Sequence, residues 1–146
     1  FVNRVVTGNV RIVARVTGVS TQTYYAGAGV MMRPNLATTA NSTNRCMVGS
    51  RAGTSYVEFA GPGVGDGIYL VGVPPVWVRA TRSNSTVTLE HSMNGSTWTV
   101  THTASVAAWP ATTYVGLYAQ SMGYSDSLPA GLCTGRFDNV SIILNP

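Results

Sequence analysis

The most constraining feature of this sequence is the segment 86–103, in which apolar and polar residues alternate on either side of Asn94-Gly95. Alternation indicates a half-buried β-strand, because successive side chains of a strand point to opposite faces. Asn-Gly fits a two-residue type I′ turn, since both residues tolerate positive φ. The segment therefore predicts a β-hairpin with one apolar face. The predicted pairs on that face are Met93 with Ser96, His91 with Trp98, Leu89 with Val100, and Val87 with His102.

The rest of the chain shows further short alternating segments and no segment with a helical period. Strands are predicted over 10–16, 26–33, 45–50, 54–60, 68–73, 76–81, 113–119 and 136–144. In the first of these, Val10 to Val16, every second residue is apolar and shares one face. Many short strands without a helix predict an all-β sandwich or barrel. A length of 146 residues and the lack of a linker or repeat predict a single domain over 1–146.

Composition narrows the range of partners. Charged residues make up 10% of the chain, and all nine basic residues are arginines. The net charge is +4, but the arginines are scattered rather than clustered, so we do not expect a nucleic-acid partner. No apolar run is long enough for a membrane span. A surface dominated by hydroxyls, amides and glycine favours an extracellular or cell-surface location.

The chemistry-bearing residues leave several alternatives open. Cys46 and Cys133 either form one disulfide or are two small buried hydrophobes. In the predicted hairpin His91 and His102 lie about 13 Å apart, so they cannot share a zinc ion. No cofactor is expected. The open alternative is calcium, held by oxygen ligands, with Asp66, Asp126 and Asp138 as candidates; a lone aspartate in a turn is more often a cap.

Six stretches occur together and in order: 17–20, 28–33, 77–82, 91–98, 114–118 and 137–142. Taken together they resemble the concanavalin A-like jelly-roll domains of the laminin G-like kind that are appended to secreted bacterial proteins. The resemblance implies a sandwich of two curved antiparallel sheets whose concave face or rim loops carry a glycan or calcium. It also implies a missing first strand, because such domains begin with an additional strand before the segment that matches Phe1 to Arg4. An open core seam is therefore expected there, and another strand should fill it.

The resemblance also bears on activity. The glucanase branch of that fold carries a Glu-x-Asp-x-x-Glu arrangement, which this chain lacks, and Glu58 and Glu90 stand alone in their strands. Because retaining hydrolysis requires two carboxyl groups about 5 Å apart, we expect that the chain is not an enzyme.

Two functions follow as hypotheses. The first is a non-catalytic extracellular carbohydrate-binding or adhesive module, in which Trp77 with Arg79, or Tyr114 with Tyr118, line the glycan site. The alternative is a structural subunit of an extracellular filament or surface assembly, completed by strand exchange between neighbouring chains, and hence a homo-oligomer.

Overall fold

The structure is a computed structural model that describes residues 1–21, 26–37, 46–51, 56–61, 64–70, 74–121 and 132–146. This part of the chain forms strands and no helix. The strands are β1 (Val2–Thr7), β2 (Val10–Thr21), β3 (Gly27–Arg33), β4 (Cys46–Arg51), β5 (Tyr56–Gly61), β6 (Val64–Leu70), β7 (Val76–Ser83), β8 (Thr86–Ser92), β9 (Thr99–Ser105), β10 (Thr112–Gln120) and β11 (Cys133–Leu144).

The strands form two antiparallel sheets that pack face to face. The six-stranded sheet has the order β1-β10-β3-β4-β5-β6, and the five-stranded sheet has the order β11-β2-β7-β8-β9. The prediction of an all-β, two-sheet sandwich is confirmed. In the described residues no helix is both long and apolar enough to cross a membrane.

The core lies between the two sheets and follows the predicted alternation. In β2, Val10, Ile12, Ala14 and Val16 are all fully buried. They pack with buried residues of β7 and β8 from their own sheet and of β3, β5 and β10 from the other. Burying a valine or isoleucine side chain contributes about 1.5–3 kcal/mol, so the buried alternate positions stabilise the sandwich.

The two-residue hairpin lies at a different place from the predicted one. It joins β7 to β8 through Asn84 and Ser85, with Ser83 paired to Thr86. Asn84 adopts a positive φ of 53°, a conformation that asparagine tolerates better than most residues. Asn94 is not in that region, so the predicted type I′ turn at Asn94-Gly95 is wrong.

The β8–β9 connection is instead a wider loop that is held by side chains. The Oδ1 atom of Asn94 accepts hydrogen bonds from the backbone N–H groups of Ser96 and Thr97, at 2.9 and 2.8 Å. The hydroxyl of Ser92 accepts a hydrogen bond from the N–H of Gly95 at 2.9 Å. An asparagine side chain that bonds the backbone ahead of it stabilises a turn without requiring positive φ.

This wider loop changes the register that the hairpin was predicted to have. Leu89 pairs with His102, and Glu90 pairs with Val100 after a register shift. Val100 is therefore 55% exposed on the outer face, whereas the prediction placed it in the core. A bulge exchanges the faces of the residues beyond it, because the side-chain period of a strand is two.

Candidate functional site

The most unusual surface of the molecule is an open seam between the two sheets, at the side where β1 and β11 are the outermost strands. On β1, Val2 pairs with Leu117 and Arg4 pairs with Val115. Leu117 and Val115 face the core, so Val2 and Arg4 lie on the core side of the sheet. Val2 is nevertheless 79% exposed.

The seam forms a groove of about 250 Å³. Its lining residues are Val2, Asn3, Arg4, Ile12, Val115, Gly116, Leu117, Val140 and Ile142. Val140 and Leu144 on β11 are 46% and 51% exposed, so the apolar surface continues along the opposite wall. A contiguous apolar surface of this kind typically marks an interaction site.

Arg4 is the charged residue of this groove. Its side chain lies on the core side of β1, between Val2 and Val6 at alternate positions. Among the described residues Arg4 has no hydrogen-bond or ion-pair partner, and it is exposed. The seam therefore combines apolar walls with one unpaired positive charge.

Close packing against β10 holds β1 in place. A Cβ atom added at Gly116 would lie 2.0 Å from the carbonyl oxygen of Val2 and 2.7 Å from the Cα of Asn3. Both contacts are far shorter than real Cβ contacts. Glycine at position 116 is thus a requirement for β1 to approach, and it fixes one wall of the seam.

A second candidate surface lies on the outer face of the five-stranded sheet. Arg79 donates two hydrogen bonds to Glu90, each 2.5 Å long, and the side chains are 18% and 12% exposed. The guanidinium carbon lies 4.0 Å from the centroid of the Trp98 ring. This arrangement places an aromatic ring beside a planar, fixed ion pair.

The neighbouring row of this face repeats the same chemistry. Arg15 donates two hydrogen bonds to Asp138, at 2.7 and 2.5 Å, and its guanidinium carbon lies 5.8 Å from the Trp77 ring. These two hydrogen bonds lower the pKa of Asp138 and raise the pKa of Arg15. We call Arg15, Trp77, Arg79, Trp98 and their two carboxylate partners the aromatic face.

The two tyrosines predicted to line a glycan site lie elsewhere. Tyr114 and Tyr118 are on β10 of the other sheet, so they cannot share a site with Trp77. Tyr118 is 3% exposed and packs in a small cluster with Met31 and Ala60. Its ring is covered and offers no platform to a sugar.

The two histidines are closer together than predicted. Because Leu89 pairs with His102, His91 is diagonal to it across the β8–β9 pair, about 8 Å away rather than 13 Å. Burial lowers the pKa of both histidines, and among the described residues neither His91 Nδ1 nor His102 Nε2 has a hydrogen-bond partner. Among the described residues no group of three or more metal-ligating side chains comes together.

Of the two alternatives for the cysteines, the disulfide is not formed. Cys133 is a free thiol whose sulfur lies 3.8 Å from the carbonyl oxygen of Gly27, and burial raises its pKa. Cys46 pairs with Met32, at the other end of β3. Gly27, beside Cys133, and Met32, beside Cys46, are five residues or about 17 Å apart along β3. A disulfide needs Cα atoms within about 7 Å.

The three candidate calcium ligands do not form one site. Asp138 lies on β11, which packs against β10 and β3, and it is bound to Arg15. Asp66 lies on β6. Two strands, β4 and β5, separate β6 from β3, so β6 and β3 are about 14 Å apart. Calcium needs its oxygen ligands within about 2.6 Å, so Asp66 and Asp138 cannot share an ion. Asp126 lies outside the described residues.

Comparisons with known proteins establish the fold and no family. No family model and no curated protein matches the chain. One solved structure that it resembles is a functionally unknown protein from Saccharomyces cerevisiae. The TM-score is 0.71 at 18% identity, over 98% of this chain and 73% of that one. Another is described as Bacteroides ovatus xyloglucan PUL GH43B. It matches with a TM-score of 0.51 at 17% identity, over 76% of this chain and 23% of that one.

The second of these structures corrects the expectation that the chain is not an enzyme. It is a glycoside hydrolase chain that contains this fold, so the lack of a glucanase motif in the sequence does not support the exclusion. At 17% identity the likeness concerns the fold alone. Of the two isolated glutamates, Glu90 is bound to Arg79, and the side chain of Glu58 is outside the described set.

Sequence reasoning anticipated an open seam but did not identify the residues that line it. The segment 1–7 is not among the predicted strands. One signal was available: Val2, Arg4 and Val6 are at alternate positions, and only the first and last are apolar. A charged residue on the core-facing side of a strand indicates an edge strand.

Proposed function

We propose that this chain is a structural subunit of an extracellular assembly, in which a strand from a neighbouring chain completes the open seam. The observation that carries the proposal is the 79% exposure of Val2 on the core side of β1. An added strand would cover Val2, Ile142 and the wall formed by Val140. It would also pair with the backbone groups that β1 presents at its outer edge.

The seam has the features that strand addition to a sheet requires. Strand addition to an exposed sheet edge supplies main-chain hydrogen bonds, and pockets for alternate side chains supply specificity. The groove offers both, because its walls are apolar and β1 is bonded on one side only within the described residues. The low charge and lack of lysine are consistent with close packing of subunits outside the cell.

The test compares assembly of the native chain with that of two matched variants. Val2→Lys places a charge in the seam. Val100→Lys is the control: it places the same charge at another exposed valine in a strand, on the outer face of the five-stranded sheet. We expect native material to form large species by light scattering, Val2→Lys to remain monomeric, and Val100→Lys to behave as the native chain does. A native chain that is monomeric at all concentrations, or two variants with the same effect, would contradict the proposal.

A second candidate function is carbohydrate binding or adhesion through the aromatic face. The ring of Trp98 against the ion-paired Arg79 favours it, because aromatic platforms beside planar polar groups suit sugar rings. The fold similarity to the Bacteroides ovatus xyloglucan PUL GH43B chain also supports it. Titration with oligosaccharides should quench tryptophan fluorescence in the native chain and not in Trp98→Ala. Trp109→Phe is the control, because Trp109 packs against the core. Equal quenching in native chain and Trp98→Ala would remove this candidate.

A further inference from the structure

We infer that the strand which completes the open seam carries a carboxylate side chain opposite Arg4, with apolar side chains two residues to either side. This inference rests on the proposed function and names the chemistry of the partner. The occupant is thus an extended segment with the pattern apolar-x-acidic-x-apolar.

The first step of the argument is the position of Arg4. It lies on the core side of β1 between Val2 and Val6, and it lines the groove together with Ile12 and Ile142. A strand laid along β1 would therefore place its own inward side chains beside these residues. Cross-strand neighbours have Cβ atoms about 5 Å apart, so one inward residue of the occupant would meet the Arg4 guanidinium.

The second step is the cost of covering a charge. A strand over the seam would remove water from the Arg4 guanidinium, and an unpaired charge is expensive to bury. An apolar occupant alone would leave that cost uncompensated. A carboxylate matches the guanidinium with two parallel hydrogen bonds and is the preferred partner at partly buried sites.

The third step is the treatment of other arginines in this molecule. Arg15 is bound in a two-point pair by Asp138, and Arg79 is bound in the same way by Glu90. Both arginines lie on sheet strands and are partly buried. Arg11 and Arg82 donate instead to a threonine hydroxyl and to backbone carbonyls. Arg4 has neither kind of partner among the described residues, and it lines the groove.

The fourth step excludes the simplest self-pairing. If two copies paired through β1 about a centre at Arg4, the two Arg4 side chains would lie directly opposite each other. Like charges at opposed positions destabilise a strand pair. An inward charge on an edge strand is a known protection against such edge-to-edge association. The geometry therefore favours an acidic partner strand over a second β1.

The test uses blocked peptides of about seven residues, the length of a typical strand, with alternating valine and threonine. The central inward position carries glutamate, glutamine or lysine. Affinities for the intact native chain are measured by calorimetry. We expect the glutamate peptide to bind about tenfold more tightly than the glutamine peptide, and the lysine peptide to bind least, as for a partly desolvated charge pair.

Charge exchange on the protein makes the test specific. Arg4→Glu should reverse the order, so that the lysine peptide binds best. Arg4→Gln should make glutamate and glutamine peptides equal. Arg136→Gln changes the net charge by the same amount at an exposed residue outside the groove, and it should leave the native order unchanged. Circular dichroism of each variant shows that the sandwich is folded.

The outcomes separate this inference from the proposed function. Equal binding of glutamate and glutamine peptides to the native chain, with Val2→Lys still blocking both, would overturn the carboxylate and leave strand addition in place. Binding of no peptide, together with a monomeric native chain, would overturn strand addition itself. Self-association that persists unchanged in Arg4→Gln and in Arg4→Glu would show that the strand in the seam does not depend on a carboxylate, and would also overturn the inference.

Discussion

Replacing Gly116 by alanine gives the sharpest test of how β1 is held. The new methyl group would lie 2.0 Å from the Val2 carbonyl oxygen and 2.7 Å from the Asn3 Cα. Ordinary contacts of this kind begin near 3.4 Å. Both obstacles are backbone atoms, so no side-chain rotation relieves them. The strand β1 must move outward by more than about 1 Å, which breaks its ladder to β10.

The expected cost follows from what β1 contributes. Overpacking at a site that cannot relax costs about 1–3 kcal/mol. Most of β1 is exposed, and the one apolar side chain that it buries well is Val6, at 6% exposure. Releasing a buried valine costs about 1.5–3 kcal/mol. Since displacement of β1 relieves the overpacking, the two costs do not add in full, and we expect a loss of about 2–4 kcal/mol in the free energy of unfolding.

Urea unfolding and hydrogen exchange measure this effect. The matched control is Gly18→Ala on β2, where an added Cβ would lie 3.9 Å from the Arg136 side chain, an ordinary contact. We expect Gly18→Ala to change stability by less than about 1 kcal/mol. The backbone amides of Val2–Thr7 should exchange faster in Gly116→Ala than in the native chain. In the control their exchange rates should be unchanged. Equal stability and equal exchange in the two variants would refute the account of β1 packing.

Further predictions concern the histidines and the β8–β9 loop. Burial lowers the pKa of His91 and His102 below their ordinary 6.5, so the unfolded chain takes up protons first as pH falls. The free energy of unfolding should keep its full value above about pH 6.5 and should decrease below it. Between pH 7.5 and pH 5 the urea midpoint should fall less steeply in a variant that carries both His91→Asn and His102→Asn. Equal slopes in the native chain and the variant would contradict the assignment. Gly95→Ala should lower the melting temperature, because φ is +75° and the new Cβ would lie 2.9 Å from the Trp77 ring. An unchanged melting temperature would show that the loop adapts.

The parts of the fold that were predictable from sequence are those in which the pattern and the packing agree. The strand predicted over 76–81 is β7, in which Val76, Val78 and Ala80 alternate with Trp77, Arg79 and Thr81, and the first three are buried. Trp77 and Arg79 share the opposite face, where both contact partners of the aromatic face. Local alternation suffices there, because the strand has neighbours on both sides and no bulge.

The errors have a local physical cause. Asn94-Gly95 is a strong turn signal, but the Asn94 side chain bonds the backbone ahead of it and opens a wider loop. One bulge then moves Val100 outward. Nothing in the alternation of 99–105 shows the bulge, because the choice depends on how the loop closes. Tyr118 is a poor binding candidate for a different reason: it is buried in a cluster with Met31 and Ala60, which are distant from it in sequence.

The seam itself was predictable only as a consequence of resemblance. Composition and periodicity do not show that part of a core-facing surface is exposed, because the exposure of Val2 depends on the position of β11 relative to β1. The position of Arg4 within that face likewise required the register with Val115.

Electron microscopy of undenatured material, at a resolution that shows backbone, is the most direct measurement of the central claim. The account predicts a particle larger than one chain, with an additional strand beside β1 that covers Val2 and brings a carboxylate to Arg4. A single-chain particle in which the outer edge of β1 remains bare would contradict it.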